Sequence, residues 1–253
     1  MSFLDRFKKN KVTNENWEFY QTFDEEENVT FATIDLTYQE PKNQKGFKGE
    51  LFVRVRIPQN RLHDGIPIPE EHEYQNQKEE ELCERLVKSR INCIQVGRLT
   101  FGGQKQYVFE HNDLEGFKNE FNAWSKAFSK DYSLELNPLK PFEYYSDLLP
   151  DKYNWQQIGN RHVIEKLMAA GSDESKEHFI EHGIFGNPKD LKKLYEEIKE
   201  HDISLIGIEG DLMEVGVKSS IELDDITNQT DYLIEIAERY NCKYDGWNTA
   251  IVK

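Results

Sequence analysis

The sequence predicts an α+β fold: two ferredoxin-like sandwiches in tandem, each an antiparallel sheet of split βαβ order with helices on one face. Three observations lead there. Each half repeats the order strand, helix, strand, turn, strand, helix, strand. A stretch with three prolines separates the two halves, from Asn137 to Pro150. The chain has 253 residues, which suits two domains, 1–150 and 151–253.

In the first half, Glu50–Ile57 alternates apolar and polar residues and stops at Pro58, which marks a half-buried strand. Trp17–Phe23 and Val29–Tyr38 are strand-like segments ahead of it. Glu79–Lys88 reads as a helix, with Leu82, Leu86 and Val87 behind an acidic lead-in. Ile91–Val96 and Gln106–Phe109 flank Gly102-Gly103, a pair that reads as a hairpin turn. Asp113–Ser129 places Leu114, Phe117, Phe121, Trp124 and Phe128 at helical spacing, and Tyr132–Leu136 supplies a last strand.

The stretch Asn137–Pro150 carries several aromatics, so it is expected to pack down rather than swing free. Trp155–Ala170 reads as a helix stopped by Gly171. The clearest helix runs from Asn187 to His201. Asn187 can cap it, Pro188 fits its first turn, and Leu191, Leu194, Tyr195 and Ile198 fall on one face. Ile203–Ile208 and Met213–Ser220 form a hairpin about Glu209-Gly210-Asp211. Asp225–Tyr240 is a helix with Ile226, Leu233, Ala237 and Tyr240 in one stripe, and Tyr244–Val252 is the final strand.

Composition narrows the function. Hydrophobic residues are 37% and aromatics 12%, which suits a folded, highly soluble chain. The net charge is -15, with -9 falling in residues 155–253 and -6 in the rest. Such charge repels a phosphate backbone, so no direct nucleic-acid partner is expected, and a basic protein is favoured. No apolar run spans a membrane. Met1–Lys9 has no secretory core and reads as a frayed basic tail. Cys83, Cys93 and Cys242 are odd in number and lack metal-ligand spacing, as suits a reducing cytoplasm.

Several motifs yield to structural readings. His178-Phe179-Ile180-Glu181-His182 matches a zinc-protease spacing that requires a helix, whereas its flanks read as a strand with surface histidines. Lys45-Gly46-Phe47 resembles the opening of an RNA-recognition signature, but it precedes the helices and reads as a turn into a core strand. Nucleotide and nucleophile motifs are absent. Asp224-Asp225 suits a helix start. Glu79-Glu80-Glu81 reads as a solvated face, and Asp24–Asn28 as a loop. No cofactor, metal or catalytic residue is expected.

The segment Tyr240-Asn241-Cys242-Lys243-Tyr244-Asp245-Gly246-Trp247-Asn248-Thr249 resembles the end of the family of regulator of ribonuclease E activity B. Leu167–Asp173 is similar to that family's opening helix and turn, and Glu181-His182-x-x-Phe185 to its first strand. The resemblance covers about residues 158–253. The first half, from Trp17-Glu18-Phe19-Tyr20 onward, looks like an uncharacterised bacterial domain. The resemblance implies a non-enzymatic acidic cytoplasmic protein that binds a ribonuclease and inhibits it. The positions to test for partner binding are Glu181, His182, Glu209, Asp211, Tyr244, Asp245, Gly246 and Trp247. On the residues alone, Asp245-Gly246 reads as a bulge or turn and Trp247 as an anchor for the last strand. A small-ligand-sensing or structural adaptor is the alternative function.

Overall fold

The computed structural model describes residues 16–23 and 29–253. The tail Met1–Lys9 and the acidic run Asp24–Asn28 lie outside the described residues. The chain divides into two compact units at Leu149 and Pro150.

The first unit opens with β1 (Trp17–Phe23), β2 (Val29–Asp35) and β3 (Gly49–Arg56). A small pair follows, β4 (Leu62–His63) with β5 (Ile66–Pro67), and then α1 (Pro69–Lys88). Next come the hairpin β6 (Cys93–Phe101) and β7 (Gln104–His111), α2 (Leu114–Ser125), β8 (Ser133–Leu139) and the short α3 (Glu143–Asp147). The main sheet runs β1-β2-β6-β7-β3-β8, antiparallel throughout. Its last four strands have the split βαβ order, and β1 and β2 extend the sheet beyond β6. Gly102 and Gly103, both at positive φ, make the tight β6–β7 turn.

Leu51, Val53 and Val55 alternate along β3 and meet Leu82 and Leu86 of α1 and Phe117 and Trp124 of α2 in one core. Burying each such side chain is worth roughly 1.5–3 kcal/mol. The helix α1 is ten residues longer at its start than the sequence pattern predicts. Its inner face there is polar, with Glu71, Gln75, Lys78 and Glu79 all buried, so it carries no apolar period to read. Glu79 therefore does not belong to a solvated face. Arg98 bonds both its carboxylate oxygens, at 3.3 and 3.1 Å. Gln95 donates to it at 2.6 Å, and Lys105 lies 3.8 Å away. Burial pulls the Lys105 ammonium down to about 8. Glu71 takes Tyr132 Oη at 2.8 Å and Arg61 at 3.2 Å.

The 140–149 segment does pack down, on the sheet face opposite α1 and α2. Glu50 and Glu110 are cross-strand neighbours, and both are fully buried. Glu110 accepts from the Phe142 N–H at 2.8 Å. Glu50 accepts from Tyr144 and Tyr145 at 2.6 and 2.8 Å. Phe142 sits at φ 54, a costly backbone state for a bulky residue. It is held by this bond and by ring contacts with Tyr38, Phe47 and Tyr145. The segment's end is tied by Tyr20, whose hydroxyl donates to Leu148 O.

The second unit begins with α4 (Lys152–Ala169), capped by Asp151, whose side chain accepts from the Tyr153 and Asn154 N–H groups. Then come β9 (His178–Phe185), α5 (Pro188–Ile198), β10 (Ser204–Glu209), β11 (Leu212–Ser219), α6 (Leu223–Arg239) and β12 (Lys243–Thr249). The sheet order is β10-β11-β9-β12, again the split βαβ arrangement. Asn187 caps α5 and Pro188 opens it, as the sequence predicts. Asp224 and Asp225 lie in the first turn of α6. Ile184, Met213 and Val215 pack beneath Leu191, Leu194 and Ile198 of α5 and Leu233, Ile236 and Ala237 of α6. The last residues are stitched to the turn before β9 by Asp173 N–H to Val252 O at 2.8 Å.

The Glu50–Glu110 pair sets a pH dependence. Burial and the neighbouring carboxylate push Glu110 up to about 9, so the pair holds a proton at neutral pH. The unfolded chain releases that proton in the ordinary carboxylate range. Between the two values the native state binds more protons, and stability falls as pH rises. Glu110→Gln keeps the shape and removes the titration. Relative to the wild type it should gain about 4 kcal/mol between pH 6 and pH 9, read from melting curves at each pH. Parallel curves for the two proteins would refute the shared proton.

Candidate functional site

The strand β9 exposes two different faces. His178, Ile180, His182 and Ile184 are buried, whereas Phe179, Glu181, Gly183 and Phe185 between them are exposed or half-buried. The alternation follows from the pleat, which sends successive side chains to opposite faces. The histidines are therefore not surface groups, in contrast to the sequence expectation. Both point into the helix-covered side, because Ile180 and Ile184 share their parity.

Each histidine has its own work. The His178 ring lies between Asp173 O at 2.9 Å and Ala250 O at 3.3 Å. His182 meets the Tyr244 hydroxyl through Nδ1 at 2.9 Å. Among the described residues no group of three or more His, Cys, Asp or Glu is placed to hold a metal ion. Burial lowers His182 to about 4, so its ring is neutral in the fold. The same burial raises the Tyr244 phenol. Burial also raises the thiols: Cys93 reaches about 12, and Cys83 and Cys242 shift in the same direction. Such thiols make poor nucleophiles.

Tyr244 and Trp247 would fall on opposite faces of a regular strand, yet both reach the inner one. The register with β9 slips between Tyr244 and Gly246. Asp245 is the extra residue, and Gly246 takes φ 114. This is the bulge the sequence predicts, and it brings Trp247 opposite His182. Trp247 then packs against the cluster of Ile164, Ile180, Ile221 and Ile226. Its indole N–H donates to Asn160 Oδ1 at 2.8 Å, and Asn160 donates in turn to Thr230 Oγ1 at 2.9 Å. Asn160 and Thr230 have no signal in the sequence. They stand on the helical faces that bring α4 and α6 together, and both are fully buried.

The eight predicted positions thus fall into four groups. His182, Tyr244 and Trp247 are interior and hold the last strand. Gly246 shapes the bulge. Glu181 and Asp245 lie toward the helix-free side, and Glu209 and Asp211 flank Gly210 in the exposed β10–β11 turn. That turn is drawn to the end of β9 by Gly186 N–H to Asp211 O at 2.8 Å. Phe179 and Glu214 share the helix-free side and escape the motif reading. The period-two alternation of β9 and β11 is the signal that finds them. Elsewhere in this unit a shallow cavity of about 260 Å³ lies between α6 and the β10–β11 edge, lined in part by His201, Val217, Gln229 and Tyr232.

Two stability outcomes follow. Gly246→Ala should cost about 1–2 kcal/mol through the backbone alone, since nothing lies within 4 Å of the added Cβ. His182 is neutral when folded and takes a proton near pH 6.5 when unfolded, so stability is lost as pH falls from about 6.5 toward 4. His182→Asn should flatten that acid limb in melting curves at pH 7.5 and 5. An unchanged slope would mean that other groups set it.

Two family models match the chain. One, described as a regulator of ribonuclease activity B, covers residues 157–249. The other, a family of unknown function (DUF695), covers residues 15–147. No curated protein matches. A crystal structure of an unknown protein from Galdieria sulphuraria is similar over 81% of this chain and 100% of its own, at 6% identity. The TM-score of that likeness is 0.22, too low to carry an argument. With more than half its length in the second match, the chain belongs to the family of unknown function DUF695, and behind that domain it carries one of the regulator of ribonuclease activity B family.

Proposed function

We propose that this protein is a non-enzymatic regulator of ribonuclease activity that acts by binding its target and inhibiting it. The observation that carries the reading is the regulator match over residues 157–249, which spans almost all of the second sandwich. The chemistry of that sandwich supports it. Its interior polar groups join one strand or helix to the next, as His182 does with Tyr244 and Asn160 with Thr230. Its charge is strongly acidic, which favours a basic segment on the ribonuclease and disfavours RNA itself. The partner is a ribonuclease E-like enzyme, and the setting is the cytoplasm, where the three free cysteines stay reduced. Among the described residues no helix is long and apolar enough to cross a membrane.

A second reading, a ligand-sensing adaptor, has the 260 Å³ cavity in its favour. The two readings part on one experiment. Tagged full chain, captured from lysate of its source cells at low salt after RNA digestion, should retain a ribonuclease that elutes as salt rises. Purified chain should then slow that ribonuclease on a labelled RNA at least tenfold at saturation. Unchanged cleavage, with no ribonuclease retained, would overturn the regulator reading.

A further inference from the structure

The helix-free face of the second unit's sheet has an unusual middle. Two adjacent cross-strand rows run over all four strands. One is Ser204, Gly216, Glu181 and Asn248, and the other is Gly207, Glu214, Gly183 and Gly246. Half of these eight positions are glycine, and Gly207, Gly183 and Gly246 leave the second row low on both sides of Glu214. The two ends of the strands carry bulk instead. Phe179, 45% exposed, lays its ring on Gly216, where an added Cβ would come within 2.2 Å of it. At the other end stand Phe185 and Leu212, which are cross-strand partners. The result is a shallow trough across the strands. Its walls, at Phe179 and Phe185, stand six residues apart along β9, about 20 Å at roughly 3.3 Å per residue, and the Phe179 ring leans inward over Gly216.

Charge identifies the occupant. Glu181 and Glu214 stand in the trough, and Asp245, the bulge residue, lies beside Gly183. Among the described residues none of these three carboxylates has an ion pair, whereas on the helix side Asp190, Glu196 and Glu197 pair with Lys193, Lys199 and Arg239. Lys218, at the Phe179 end, is taken by Glu177. A flat floor admits a backbone, aromatic walls accept guanidinium or aliphatic stems, and unpaired carboxylates await cations.

We infer that this trough is the docking surface for an extended arginine-rich protein segment, laid across the four strands with alternate side chains directed at Glu181 and Glu214. The inference rests on the regulator reading for its biological partner, but it makes its own prediction about the surface.

The test uses full chain and a fluorescein-labelled twelve-residue peptide of alternating arginine and threonine, followed by anisotropy at 50 and 150 mM salt. Glu181→Lys with Glu214→Lys should weaken binding at least tenfold. Glu200→Lys with Glu235→Lys makes the same change in net charge on the helix side and should weaken it less than threefold. Gly207→Trp should also weaken binding at least tenfold without unfolding the chain, because nothing lies within 4 Å of a Cβ there. Equal loss in both charge pairs would mean diffuse attraction and would overturn the proposal. So would a concentration-dependent dimer that Gly207→Trp abolishes, since the trough would then seat a second copy. Displacement of the peptide by single-stranded RNA would overturn it as well. If the chain inhibits a ribonuclease and the trough variants inhibit it equally, the regulator reading stands and the surface is wrong. If the peptide binds in the trough while no ribonuclease responds, the surface stands and that reading fails.

Discussion

One break in the strand period organises the second unit. The bulge at Asp245 resets the parity of β12, so Tyr244 and Trp247 both face inward. Tyr244 gives the buried His182 ring a partner, and Trp247 reaches past the sheet to Asn160 on α4. That reach matters because α4 is an addition to the split βαβ order and docks beside α6. Its buried residues number only Ile158, Asn160 and Ile164, which is little apolar area for an 18-residue helix. The hydrogen bonds that Asn160 accepts from Trp247 and donates to Thr230 supply the direction that apolar contact alone does not. The same bulge leaves Asp245 and Gly246 on the other side, so a single inserted residue helps to seal one face and shape the opposite one.

The two units solve the burial of polar groups in opposite ways. In the first, charges are buried together, Glu79 with Arg98 and Lys105, while the buried Glu71 pairs with the partly exposed Arg61. Removing charges from water costs several kcal/mol per ion, and each pair repays this only when its hydrogen bonds are complete. Hence the clusters are dense, with Gln95, Gln75 and Tyr132 supplying further donors to the same carboxylates. In the second unit the buried polar side chains are Asn160, Ser172, His178, His182 and Thr230, with no carboxylate, ammonium or guanidinium among them. A ring lowered to about 4 remains uncharged down to quite acidic pH. The charge of the second sandwich is therefore displaced to its surface.

This difference explains what was legible in the sequence. Where burial is apolar, the period shows, as along α5 from Leu191 to Ile198, and the Asn187-Pro188 start marks its boundary. The Gly102-Gly103 turn and the Asp245-Gly246 bulge were legible because positive φ restricts the residue choice. The first half of α1 was not, because Glu71, Gln75 and Glu79 occupy its inner face and read as solvent positions. The burial of His178 and His182 was hidden for the same reason. Alternation told which side they share with Ile180 and Ile184, but a polar residue enters a core only when a distant partner waits there. For His182 that partner is Tyr244, 62 residues away. Asn160 and Thr230, 70 residues apart, are a second such pair.

The helix-free sheet face follows from the same logic taken one step further. A sheet with helices on one side needs apolar residues on that side only, so the other face is free to vary without loss of the core. Here it has varied toward glycine and carboxylate, two residue types that strands ordinarily disfavour. Gly183, Gly207 and Gly246 add no side-chain packing, and each weakens a strand relative to a β-branched residue, while Gly216 makes room for the Phe179 ring. Glu181 and Glu214 gain no ion pair in return. A face that contributes this little to folding, and costs some stability, is explained by what it can receive. An extended basic segment would recover both deficits at once, giving the carboxylates cations and the glycines a covering backbone.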